Sequence, residues 1–128
     1  MSTGGSLERD VLIVACAISA GIHAALAPDH FSEGTGAGAG FLGAAVLLAA
    51  LAALLTRRPA SAVLPGVAVA VLAGLLASYA LAISSGVPVL HPEPEAVDGL
   101  ALFTKGIEAA GLVAATRLLT PRAKETLT

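Results

Sequence analysis

Tryptophan is missing from this 128-residue chain, and cysteine, tyrosine and methionine occur once each. A single cysteine, Cys16, excludes an internal disulfide and a CxxC metal site. Charge is scarce as well. Asp, Glu, Lys and Arg make up 12% of the residues, about half the roughly 25% of a soluble domain. No basic patch with interleaved aromatics occurs, which argues against nucleic acid as a partner. The glycine-rich stretch 34–40 lacks the Gly-Lys-Ser/Thr ending of a phosphate loop. There is no HExxH, no HxH and no assignable catalytic triad, so the sequence names no enzyme.

What the chain does have is apolar surface: 56% hydrophobic residues and a mean hydropathy of +0.88. Four apolar runs fall at about 11–27, 38–55, 61–83 and 97–119. At 1.5 Å of rise per residue, roughly 17–25 residues cross a bilayer, and all four runs qualify. The expected fold is an all-α integral membrane protein, a compact bundle of four transmembrane helices. The expected divisions are a tail at 1–10, the helical domain at 11–119 and a second tail at 120–128. The polar start, with Glu8, Arg9 and Asp10, is unlike a positively charged leader. Ala25-Leu26-Ala27 resembles a cleavage site but precedes Pro28. The first run is therefore read as a retained helix.

The basic residues predict orientation. Of seven, Arg9, Arg57, Arg58, Arg117, Arg122 and Lys124 fall on one side of a four-span chain. That side is cytoplasmic by the positive-inside rule, so both termini are expected in the cytoplasm. The 28–37 and 84–96 loops, free of Lys and Arg, are expected outside a cell membrane. Phe31, Phe41, Tyr79 and Phe103 would form a thin interfacial belt at the outer boundary. Small residues recur every four positions: Gly66, Ala70, Gly74, Ser78 and Ala82; Ala17, Gly21 and Ala25; Gly106, Ala110 and Ala114. Such stripes let membrane helices approach closely. A stripe left over would serve a homo-oligomer or a membrane-protein partner.

Three polar groupings carry whatever chemistry there is. The stretch 21–33, reading GIHAALAPDHFSE, puts His23 and His30 seven residues apart, on one helical face unless Pro28 bends it. In the fourth run Lys105 and Glu108 are three apart, hence neighbours. Their depth matches that of His23, so His23, Lys105, Glu108 and Tyr79 are expected to form an intramembrane polar cluster. Ionisable groups at such depth face a bundle interior or a wet cavity. Finally, His91-Pro92-Glu93-Pro94-Glu95 is a stiff outer segment. His30, His91, Glu33, Glu93 and Asp29 make a candidate outer metal site. Imidazole and carboxylate ligands suit a divalent transition metal such as zinc or copper. Haem would need one His23 from each of two subunits, because His23 and His30 share a helix.

The leading expectation is a non-enzymatic membrane protein with an outward-facing His/carboxylate site, handling a divalent metal or sensing protons. The alternative is an accessory subunit of a larger membrane complex, its buried charges serving as a packing lock.

Overall fold

The computed structural model describes residues 3–84 and 98–127, with side chains at 6–84 and 98–120. Four helices, α1 (Thr3–Glu33), α2 (Thr35–Arg57), α3 (Val63–Ser84) and α4 (Gly99–Leu127), make up nearly all of it. Each is long and apolar enough to cross a membrane.

The helices outrun their apolar cores. α1 extends past 11–27 at both ends, because backbone hydrogen bonding continues into polar flanks that lipid would not accept. Pro28 lies within it. A proline there removes one donor, too little to end a helix whose neighbouring Ala27 and His30 are both buried. The loop expected at 28–37 contracts to Gly34, which is extended (φ 165°, ψ 150°). Its N–H donates to the His30 carbonyl and its own carbonyl accepts from Gly38, each at 3.1 Å. α1 thus gives way to α2 in one residue. Gly38 sits against the Phe31 ring, in space a Cβ would need.

α3 starts beneath Ser61, whose hydroxyl accepts from the Leu64 N–H at 3.3 Å. Pro65 falls in its first turn, where a missing donor costs little. Asp98 caps α4, its Oδ1 accepting from the Ala101 N–H at 2.7 Å.

α1 packs on α2 and on α4, α4 packs on α3, and α2 and α3 barely touch. The packing divides each helix into two halves. Leu12, Cys16 and Ala20 of α1 meet Leu48, Leu51 and Leu55 of α2, Ala68 and Leu72 of α3, and Ala114 and Ala115 of α4 in one apolar cluster. Burial of such residues is where the stabilisation sits, through close packing if the surroundings are lipid. The other half, beyond His23, Phe41, Leu75 and Glu108, is not filled.

Of the stripes expected to make the close approaches, only Ala82 of α3 and Ala114 of α4 are buried. Gly66, Ala70, Gly74 and Ser78 of α3 are exposed, as are Ala17, Gly21 and Ala25 of α1 and Gly106 and Ala110 of α4. Beyond Gly21, Gly66, Gly74 and Gly106 there is open space. The tight crossing is instead at Gly111, where a Cβ would lie 2.9 Å from Ala15 Cβ and 3.2 Å from Leu72 Cδ1.

Candidate functional site

The unfilled half of the molecule is a cavity of about 600 Å³, lined by all four helices. It lies where α2 and α3 separate. Ala37, Gly40, Phe41 and Ala44 come from α2; Leu75, Ser78, Tyr79 and Ala82 from α3. α1 contributes His23, Leu26, Asp29, His30 and Glu33, and α4 contributes Asp98, Leu100, Ala101, Thr104 and Lys105. The volume lies within the roughly 300–1,000 Å³ of small-molecule sites.

Below it, Glu108 is 0% exposed and fully engaged. Lys105 Nζ donates to Glu108 Oε1 at 2.6 Å, and the Ser19 hydroxyl donates to Oε2 across the α1–α4 interface. His23 Nδ1 donates to the Ser19 carbonyl at 2.8 Å, lies 3.2 Å from Ser19 Oγ and is 3.9 Å from Glu108 Oε2. With Nδ1 occupied as a donor, Nε2 is the nitrogen left to exchange protons. Lys105 has a side-chain exposure of 16%, and its ammonium sits 5.4 Å from the centroid of the Tyr79 ring. The Tyr79 hydroxyl is buried and has no hydrogen-bond partner among the described residues.

The arrangement is a hydrogen-bonded path. It runs from His23 on the cavity wall, through Ser19, to a buried carboxylate, and back to the cavity through Lys105. One carboxylate faces two cationic or potentially cationic groups, so a charge gained by His23 competes with Lys105 for Glu108.

His23, Lys105, Glu108 and Tyr79 are thus neighbours. Ser19 belongs with them, and its signal is its position four residues before His23, on the same helical face. Phe41, expected in an interfacial belt, turns inward instead. Its ring stacks on His30 at 3.6 Å between centroids and lies 5.2 Å from His23. Tyr79 also turns inward, while Phe31 and Phe103 are 42% and 58% exposed. His30 is buried, with Nδ1 donating to the Leu26 carbonyl at 2.9 Å. It lines the cavity together with His23.

Of the outer metal candidates, Asp29, His30 and Glu33 line the cavity. Among the described residues no three His, Cys, Asp or Glu side chains are grouped to hold a metal ion. His91 and Glu93 lie outside the described residues.

No protein-family model, curated protein or solved structure matches this chain.

Proposed function

We propose that this chain is a small integral membrane protein whose four helices form a bundle with cytoplasmic termini, and that its cavity faces outward and responds to protons. The observation that carries the reading is Glu108, a fully buried carboxylate held between Lys105 and Ser19 with His23 behind. An intramembrane ionisable group with a named partner is a functional-site candidate by default, proton relays among the roles such groups take. The orientation is supported by Arg9, Arg57, Arg58 and Arg117, which lie towards the helix ends away from the cavity.

The response is local. On gaining a proton, His23 would neutralise Glu108 in place of Lys105. Lys105 is released towards the cavity, away from Tyr79. Tyr79 is the sole tyrosine in a chain without tryptophan, so its fluorescence reports that one wall. Titrating purified protein from pH 8 to pH 5 should give a single fluorescence transition, absent in His23→Gln and preserved in His91→Gln. A transition that survives in His23→Gln rejects the proposal. Zinc taken up near stoichiometrically, and lost in His30→Ala with His91→Ala, would put the metal reading in its place.

A second reading has one observation in its favour. The stripes at Gly66, Ala70 and Gly74 and at Ala17, Gly21 and Ala25 face outward with room beside them, as a subunit meeting other membrane helices would have them. Gly74→Leu should then lower the mass of the solubilised assembly without altering the Tyr79 transition. An unchanged mass leaves the accessory-subunit reading without support.

A further inference from the structure

We propose that Lys105 is the attachment point for an apolar aldehyde, held in the cavity as a protonated imine with Glu108 as its counter-ion. Lys105 is the only lysine or arginine among the residues lining the cavity, and 16% of its side chain is exposed. An ion pair that served packing alone would gain nothing by keeping its amine at a cavity wall. Glu108 Oε1 accepts from that amine at 2.6 Å, while Oε2 accepts from the Ser19 hydroxyl. The carboxylate is thus held from its far side and keeps one oxygen for whatever nitrogen Lys105 carries. A protonated imine retains the positive charge and one N–H, so it fits where the ammonium stands. Lysine is the side chain that forms such bonds with carbonyl compounds.

The step balances with the residues present. The Lys105 ammonium passes a proton to Glu108, and the amine then attacks the carbonyl carbon, forming the C–N bond. A proton moves from that nitrogen to the former carbonyl oxygen, giving a carbinolamine. Glu108 returns its proton to the new hydroxyl, the C–O bond breaks and water leaves. The N–H of the resulting C=N⁺ bond then faces an ionised Glu108 again. The Tyr79 hydroxyl, buried with no partner among the described residues, is a donor for the carbonyl oxygen. A buried polar atom of this kind is costly until a ligand or water satisfies it. The body of the aldehyde is apolar because Ile22, Leu26, Leu75 and Leu100 line the cavity. With Lys105 engaged in the imine, no lysine or arginine among the lining residues is left to hold a phosphate or sulfonate.

The inference rests on the cavity being an open site, as proposed above, but not on its response to protons. The test therefore runs at fixed pH 8. The full chain in an uncharged maltoside detergent is treated with 4-isopropylbenzaldehyde and sodium cyanoborohydride, which reduces an imine to a stable secondary amine. Peptide mass mapping compares Lys105 with Lys124, the only other lysine of the chain. Lys105 should be alkylated at least about tenfold faster than Lys124, a small part of what positioning two reactants can bring. Each aldehyde is read as the ratio of two lysines in one chain, so intrinsic reactivity cancels, and 4-formylbenzenesulfonate should show no such preference. Glu108→Gln should abolish the preference. A lysine that the aldehyde merely reaches through the micelle would react as fast or faster once its carboxylate is gone. A thermal melt verifies that this variant is folded. Should it not be, Tyr79→Phe, which removes only the unpartnered hydroxyl, decides in its place by the same loss. Lys124 reacting as fast as Lys105, a preference shared by the sulfonate, or one that persists in the deciding variant overturns the assignment. None of these outcomes depends on whether the Tyr79 transition with pH is seen.

Discussion

Replacing Lys105 with methionine is expected to lower the unfolding free energy by about 3–5 kcal/mol, the range for breaking a buried ion pair from one side. The abandoned group is Glu108, which has no exposure at all and keeps only Ser19 and the more distant His23 nearby. Glu108→Gln should cost less, because the abandoned group is then Lys105. Its ammonium is partly exposed and can turn into the cavity. The asymmetry distinguishes this arrangement from a symmetric lock, in which both single substitutions would cost the same. Lys105→Met with Glu108→Leu removes both charges and should recover much of the loss, since an apolar pair of similar volume replaces a buried ion pair at little cost. Denaturant or thermal unfolding of the three variants, read as a double-mutant cycle, supplies the comparison. Equal losses in the two single variants would show that Glu108 is better hydrated than its burial implies.

The second large effect should come from Gly111. A Cβ there meets Ala15 Cβ at 2.9 Å and Leu72 Cδ1 at 3.2 Å. Neither atom can swing aside, the first being fixed to the α1 backbone and the second sitting in the packed cluster. Gly111→Val should therefore cost about 3 kcal/mol, the upper end of what overpacking brings. It should also push α1 from α4, and so part Ser19 from Glu108. The Tyr79 fluorescence of this variant should change along with its melting temperature. Gly106→Val, on the same helix with open space beside it, is the control and should leave both unaltered. If Gly106→Val proved the more damaging, the exposed stripe would be an interface in the assembled protein.

How much of this could be read from the residues differs between levels. The four helices follow from the apolar runs, since an uninterrupted apolar stretch of this length has few other ways to satisfy its backbone. Their ends do not follow, because hydropathy marks what lipid accepts and not where hydrogen bonding stops. Hence α1 reaches Glu33 although its apolar run stops at Ala27. In the site, Lys105 and Glu108 are legible as a pair from their spacing of three. Ser19 and Phe41 are harder. A serine in a helix has its own carbonyls for partners, and an aromatic near a helix end reads as interfacial until the neighbouring helix is in place. The small-residue stripes pack only at Ala82 and Ala114, for a compositional reason. In a chain this rich in alanine and glycine every helix face carries small residues, so four-residue spacing does not select the face that packs.

The contact between α1 and α4 has a consequence for biogenesis. Of the four spans α4 is the least apolar, and it carries both Lys105 and Glu108. Charged residues near the middle of a segment each oppose membrane insertion by roughly 2.5–3.5 kcal/mol. The groups that satisfy Glu108 from outside its own helix are on α1, which leaves the ribosome before the other three. On the membrane reading proposed above, the segment least able to enter a bilayer alone would emerge after its partner. On that reading translation order would favour the charged helix, and a circularly permuted chain that made α4 first should insert poorly even though its final contacts are the same.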